Sequence, residues 1–556
     1  MDYSFLSDTL LILISTVVLV VLFLRMGLPP VLGYLAVGVM VGPYGLSLVY
    51  DIDNIRTFAE FGVVFLLFTI GLEFSTSVLI RMKASVLGLG SAQVLLTAAL
   101  ASSIAFFFGL TLESALVLGG VVAMSSTALV TKQLADQVEL HTRHGRNSIG
   151  ILLFQDLMVV PFLILVATLS GESKTASTMT VLSALGEGAL ALIFIFVLGR
   201  WVLKPLFREV ARFHSAELFT LTVLLVVLCS SWITHQIGLT FALGAFLAGV
   251  MLSETEFRHQ VESEIRPFRD VLLGLFFITV GMMLDVSILP AAWPYVLALF
   301  LSLVLIKLLL VAGFCRIASW NSSVSMRTGL ILAHGGEFGF AILILAMDGE
   351  VLSPEEGQVI LAAMLFSMAL APLIIRYNGQ LTALLLPGSV ERSKREVREQ
   401  IIDTSRALNR HVIVCGYGRV GQPALNLLLE QKVACMAIDL DPERVQKGMN
   451  GGQPVSYGDA VSLELLHACG LSRASALVVS MIDFNTTIKI ISRVRAVYAE
   501  LPIFVRTRKE IQLYQLYQAG ATEVVADTYG SDTMITTEML ARYGIGPGEV
   551  VDKACF

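Results

Sequence analysis

The chain reads as a polytopic α-helical membrane protein carrying a Rossmann-like α/β domain at its C-terminal end. Three observations predict this. Of the 556 residues, 56% are hydrophobic and only 15% charged, whereas soluble globular chains carry about 25% charged residues. Apolar runs of membrane-spanning length recur as far as Arg376, and charge accumulates beyond it. After His411 the pattern changes to short β-branched runs separated by helical stretches, the signature of a parallel sheet. The net charge of −6 is mild and argues against a nucleic-acid partner. The cysteines (Cys229, Cys315, Cys415, Cys435, Cys469 and Cys555) form no CxxC pair, which suits reduced thiols better than a disulfide framework or a zinc site. The apolar run from Leu6 to Leu24 has neither a basic leader nor a small-residue cleavage site, so it reads as a span and not a cleavable signal.

A helix needs about 20 apolar residues to cross a bilayer. That ruler predicts about thirteen spans, centred near Val17, Val37, Leu66, Leu96, Val122, Met158, Phe194, Leu224, Phe246, Phe276, Val304, Leu343 and Leu365. Loop charges test the assignment independently. Basic residues such as Arg25, Lys132, Arg146, Arg208, Arg266 and Arg327 fall on one side, and only Arg56 and Lys174 on the other. Lys and Arg accumulate in cytoplasmic loops, so the N-terminus is expected outside and the C-terminal domain in the cytoplasm. Pro387-Gly388 closes the membrane part. The expected domains are 1–385, a charged linker or helix over 386–409, a nucleotide-binding domain over 410–530 and a tail over 531–556. Strands are expected in HVIVCG, VACMAID, ALVVS, IFVRT and TEVVA.

Ionisable side chains at membrane depth cost about 2.5–3.5 kcal/mol each on insertion scales, so each asks for a reason. Asp156 lies in ILLFQDLMVVPFLI beside Gln155, Lys307 in LSLVLIKLLLVAGF and Glu337 in ILAHGGEFGFAIL. Asp156 and Lys307 are either a structural ion pair or parts of a transport site. In the second reading the Asp156 carboxylate holds a cation and a proton in turn, and Gln155 adds a carbonyl ligand without a second charge. Such a site suits K⁺ at Asp156, because K⁺ holds its hydration shell loosely. Two helices also carry helix-breaking sequence. One has Gly119, Gly120 and the cluster Ser125, Ser126 and Thr127; the other has Gly335, Gly336 and Gly339. They fall in the fifth and twelfth predicted spans. Interrupted helices at corresponding positions of inverted repeats build midplane ion sites, although small residues also serve close helix packing.

In the soluble part, a strand runs into Gly416-Tyr417-Gly418-Arg419-Val420-Gly421 and then a helix, and the next strand ends at Asp439, 18 residues beyond Gly421. In that context GxGxxG reads as a nucleotide site, with phosphate at the helix N-terminus and Asp439, or Asp441 in its place, on a ribose hydroxyl. Asp459, in the turn after the third strand, is placed on the adenosine side.

These residues resemble a known family along nearly the whole chain. PPVLGYLAVGVMVGPYGL, FAEFGVVFLLFTIGLEF, the SSTA cluster, LLFQD, HGGEFGF and, most specifically, the stretch from Phe257 to Met282 are similar to the Kef glutathione-gated K⁺ efflux antiporters of the second cation:proton antiporter family, with a C-terminal TrkA-N (RCK) domain. The resemblance implies the crossed-helix fold of the NhaA and NapA antiporters, K⁺/H⁺ exchange by an elevator motion, and a homodimer in the inner membrane. It implies AMP or NAD(H) in the Rossmann domain and an ancillary cytosolic subunit. Asp156, Gln155, Ser125, Ser126, Thr127 and Glu337 would then serve the ion site, with Lys307 pairing Asp156 when no ion is bound. Glu262 and Glu264 match an acidic loop that restrains transport. Arg419, Arg506 and Arg508 are the basic residues available to hold glutathione or its adducts, but LYQLYQAG around Tyr517 lacks an arginine the family carries there, which leaves nucleotide or another ligand open as the regulator. Rival readings are a Na⁺/H⁺ antiporter of the same fold, a nucleotide-gated K⁺ channel and a membrane oxidoreductase. The channel would need a TVGYG-type filter that the sequence lacks.

Overall fold

The computed structural model describes residues 3–49, 53–73, 84–137, 139–140, 142–170, 202–213, 215–236, 241–253, 255–318, 321–481, 483–507 and 512–526. The span expected around Phe194, Arg508 and the tail lie outside these. The chain divides into two compact units, one of residues 1–137 with 146–381 and one of 138–145 with 382–556.

The first unit is helical. Its early helices are α1 (Tyr3–Arg25), α2 (Pro30–Val41), α3 (Asp53–Glu73), α4 (Ser91–Phe107), α5 (Leu112–Ala123), α6 (Thr127–Asp136) and α7 (Arg143–Leu169). There follow α8 (Ala216–Gln236), α9 (Phe241–Ser253), α10 (Arg258–Met282), α11 (Leu289–Ile317), α12 (Ser322–Leu332), α13 (Glu337–Asp348), α14 (Pro354–Arg376) and α15 (Asn378–Leu385). All the predicted span centres within the described residues fall in helices. Among the described residues, seven helical segments are long and apolar enough to cross a membrane, with α5 and α6 together forming one of them, or eight if the bent pair α12–α13 is one span. α2 and α9 are shorter apolar helices, so length alone does not give the number of crossings. Caps set where several begin: Thr111 accepts from the Ser114 amide at 3.1 Å, and Ser353 with Glu356 forms a capping box at the start of α14.

Glu262 and Glu264 do not lie on a loop but in the first turns of α10. Val261 and Ile265, one turn apart, are both buried in the core formed by α3, α8 and α9, and burial of that stripe draws the segment into a helix. Glu264 accepts from the Thr220 hydroxyl at 2.7 Å, while Glu262 sits 3.8 Å from His259 on the exposed side.

The second unit begins with α16 (Ser389–Ser405), which the sequence left as a linker or helix. It is part of the domain's core: Ile401 is fully buried there, and the Ser405 hydroxyl donates to the Ala468 carbonyl at 2.7 Å. Then come β1 (Val412–Cys415), α17 (Gly421–Glu430), β2 (Cys435–Asp439), α18 (Pro442–Asn450), β3 (Val455–Tyr457), α19 (Leu463–Ala468), β4 (Ala476–Val479), α20 (Phe484–Arg495), β5 (Ile503–Thr507), α21 (Leu513–Gln518) and β6 (Glu523–Ala526). The six strands form one parallel sheet in the order β3-β2-β1-β4-β5-β6. This is the doubly wound order, whose reversal beside β1 leaves a crevice at the carboxyl ends of the strands. β1, β2 and β4 are buried at every residue, as strands covered by helices on both faces must be.

Candidate ion site and nucleotide cleft

The two interrupted helices meet at their breaks. α5 ends at Ala123 and α6 starts at Thr127; α12 ends at Leu332 and α13 starts at Glu337. Contact between them is close enough that a Cβ on Gly336 would stand 2.4 Å from the Ser125 carbonyl carbon. Only glycine fits there. Each break frees backbone groups that need partners inside the protein, and the polar residues singled out in the sequence meet that demand. Lys307, fully buried on α11, donates to the Met124 carbonyl at 2.6 Å, the Ser125 hydroxyl at 2.7 Å and the His334 carbonyl at 2.7 Å. Three acceptors match the three N–H bonds of an ammonium. The Ser125 hydroxyl donates on to the Leu332 carbonyl at 3.0 Å. Ser126 caps α6 by accepting from the Leu129 amide at 3.2 Å. Glu337 accepts from the Ala128 amide at 3.4 Å, and Ser367 from the Gly335 amide at 3.0 Å. The cation therefore sits at the C-terminal ends of α5 and α12, and Glu337 at the start of α6. Both placements complement the half-helix dipoles.

Asp156 and Gln155 project from the middle of α7. Asp156 accepts from the Thr127 hydroxyl at 2.9 Å, which places a buried carboxylate beside the first turn of α6. Gln155 accepts from the Ser125 amide at 2.7 Å. Behind it stands Gln93 of α4, whose carbonyl oxygen accepts from the Gln155 amide nitrogen at 2.7 Å. Asp156, Gln155, Ser125, Ser126, Thr127, Lys307 and Glu337 are thus brought to one place.

In the soluble unit the glycine turn runs from β1 into α17. Gly416 has φ of +99°, and a Cβ on Gly421 would fall 1.8 Å from the Gly416 carbonyl oxygen. Both positions are closed to other residues, and the turn opens at the α17 N-terminus, where a phosphate would be held. Asp439 receives the Tyr417 amide and, at 2.7 Å, the Asp441 amide, so its carboxylate braces the glycine turn. Asp441 caps α18, accepting from Glu443 at 3.0 Å. Arg444 lies 3.3 Å from Asp441 and 3.8 Å from Asp439, a cation beside the cleft that the sequence reading missed. Burial holds the Asp459 carboxyl above the ordinary carboxylate range. Arg506 lines a separate small cavity with Met481, Phe484, Thr487 and Gln512.

Residues 11–377 match the family model of the transmembrane sodium/hydrogen exchangers, and residues 412–527 match the TrkA-N domain. The chain belongs to the sodium/hydrogen exchanger family. It is a cation:proton antiporter, a transporter and not an enzyme. The exchanger is 41% identical to a K(+) efflux antiporter, KefB, assigned in Alkalimonas amylolytica, over 95% of this chain and 80% of that protein. It is 39% identical to the chloroplastic K(+) efflux antiporter 1 of Arabidopsis thaliana over 98% of this chain, which spans 46% of that relative's length. Its fold is similar to that of the sodium proton antiporter MjNhaP1 from Methanocaldococcus jannaschii, with a TM-score of 0.55, 15% identity, and coverage of 69% of this chain and 99% of that one.

Sequence reasoning missed Gln93, Ser367 and the carbonyls of Met124 and His334 as parts of the candidate site. Gln93 carried a readable signal, since it is a lone amide in the apolar run SAQVLLTAAL and falls under the same rule that singled out Asp156. The backbone carbonyls carried none, because only the packing of α11 against the breaks shows which of them are orphaned.

Proposed function

We propose that this chain exchanges K⁺ for H⁺ across the inner membrane, with Asp156 as the group that takes the cation and the proton in turn. The observation that carries the reading is a buried carboxylate, Asp156, next to two interrupted helices. Lys307 is occupied by three oxygens and Glu337 lies at the α6 amides. Asp156 accepts from a hydroxyl, the Thr127 Oγ1, which is a neutral co-ligand. Its neighbour at 155 is an amide, so position 155 adds a neutral oxygen and no further negative charge. That donor set favours K⁺, whose dehydration is cheap, over Na⁺. The efflux antiporters among its relatives support the same ion. Alternating access follows an elevator motion within a homodimer, with the N-terminus outside and the TrkA-N domain in the cytoplasm. The cleft bounded by Gly416, Gly421, Asp439 and Arg444 takes AMP or NAD(H), and this occupancy regulates exchange. Glu262 and Glu264 act as a brake on transport from the α10 surface, and Arg419 and Arg506, with Arg508, are the basic residues that would hold glutathione.

The test is proton flux in proteoliposomes of the full chain, titrated with K⁺ and with Na⁺. K⁺ is expected to drive proton movement at lower concentration than Na⁺, and Asp156→Asn to abolish both while the protein stays monodisperse. A Na⁺-preferring response would overturn the ion assignment, and full exchange by Asp156→Asn would overturn the site.

A further inference from the structure

Gln93 is fully buried on α4, as is Gln155 on α7, and together they form a hydrogen-bond relay anchored at both ends by backbone. At one end the Ser125 amide donates to Gln155 Oε1 at 2.7 Å. An N–H can only donate, so Gln155 must turn its oxygen towards the break and its NH₂ away. That NH₂ donates to Gln93 Oε1 at 2.7 Å. Gln93 in turn spends its own NH₂ on the Ala123 carbonyl at 3.1 Å and the Thr97 hydroxyl at 3.3 Å. The Ala123 carbonyl belongs to the last turn of α5, where the helix supplies no donor, and a carbonyl can only accept. The relay therefore has a single polarity from Ser125 through Gln155 and Gln93 to Ala123.

We infer that Gln93 is a positioning residue for the ion site: it locks the Gln155 amide so that a carbonyl oxygen, never an NH₂, faces the cation beside Asp156. This deepens the K⁺/H⁺ reading and rests on it. An amide rotated by half a turn presents two N–H dipoles to the ion, which repel it. Gln93 makes that rotation unfavourable, because the flipped Gln155 would set its oxygen against Gln93 Oε1 and leave the Ser125 amide without an acceptor. The same polarity explains why position 155 carries an amide. An ionised carboxylate there would have no proton for Gln93 Oε1, and Gln93 could not turn over without losing Ala123. The relay thus keeps position 155 neutral beside Asp156.

The experiment uses the full chain in proteoliposomes, reading initial proton flux against K⁺ concentration. Gln93→Met keeps the volume and removes both polar groups. It is expected to raise the K⁺ concentration for half-maximal flux about tenfold while the maximal rate stays within about twofold, the loss of one net hydrogen bond's orientation appearing in binding. Neutral histidine offers one donor and one acceptor nitrogen, so Gln93→His is expected to recover half-saturation to within about threefold of the parent. Parental half-saturation in Gln93→Met, an equal fall in maximal rate and affinity, or a Gln93→His no better than Gln93→Met would each overturn the assignment. If Gln93→Met does not give a monodisperse protein, Gln93→Asn, too short to hold both neighbours, is read by the same criteria. A parent without K⁺-driven proton movement would sink the exchange reading itself, and this is seen before any variant is compared.

Discussion

Lys307 was legible in the sequence as a lysine that should not be where it is, but its task was not. A charge in an apolar helix suggested a carboxylate partner, and Asp156 was the candidate. In the fold its ammonium is spent on oxygens at the ends of α5 and α12. Lys307→Met removes those bonds and leaves buried oxygens without donors, each costing about 1–3 kcal/mol. The purified variant in detergent is expected to lose about 3 kcal/mol or more, seen as a lower thermal unfolding midpoint. An unchanged midpoint would mean that the oxygens have other donors. Asp439 shows the same gap at the other site. Its distance from GxGxxG pointed to a ribose hydroxyl, whereas its bonds to the Tyr417 and Asp441 amides show it also shaping the turn.

At the level of elements, the apolar runs were read well because their signal is local. Twenty apolar residues need no partner to announce a helix. The breaks were legible for the same reason, as glycine and serine clusters inside apolar sequence. Less visible was the helical start of α10, which the family resemblance cast as an acidic loop and which burial of Val261 and Ile265 against other helices makes helical. Where the two breaks cross, shape matters more than polarity. Gly336→Ala brings a methyl to 2.4 Å from the Ser125 backbone, a distance that forces α6 and α13 apart. K⁺-driven proton flux is expected to fall more than about tenfold, since displacements near 1 Å at a reacting site have effects of about a hundredfold. Flux equal to the parent's in reconstituted vesicles would show that the crossing can yield.

For the whole molecule, the two units answer to different solvents and so to different stresses. The soluble unit contains a buried histidine at its edge: His411 lies next to β1 and its Nε2 is 2.8 Å from the Cys469 carbonyl. Burial keeps its imidazole below the usual histidine range. The folded unit therefore takes up a proton less readily than the unfolded chain. Its stability is full above the unfolded value of about 6.5 and is lost as pH falls from there towards the folded value. Limited proteolysis of the full chain between about pH 7 and pH 5 should show the C-terminal unit opening as pH falls. His411→Gln, which keeps a donor for Cys469 but cannot take up the proton, should flatten that dependence. The same slope in both proteins would assign it to other groups.

Local sequence was enough to read the two regimes of this protein, the apolar helices, the glycine turn of the nucleotide cleft and the carboxylate at 156. Each of these rests on a local cost: apolar length against water, charge against hydrocarbon, a Cβ against a tight turn. What the polar side chains do for one another follows from packing. That Lys307 closes two helix ends, that Gln93 sets the face of Gln155, and that Ile401 of the charged segment enters the soluble core all depend on which helices become neighbours. A donor buried at depth must find whichever acceptor the packing brings, and packing joins residues as far apart in the chain as Ser125 and Lys307.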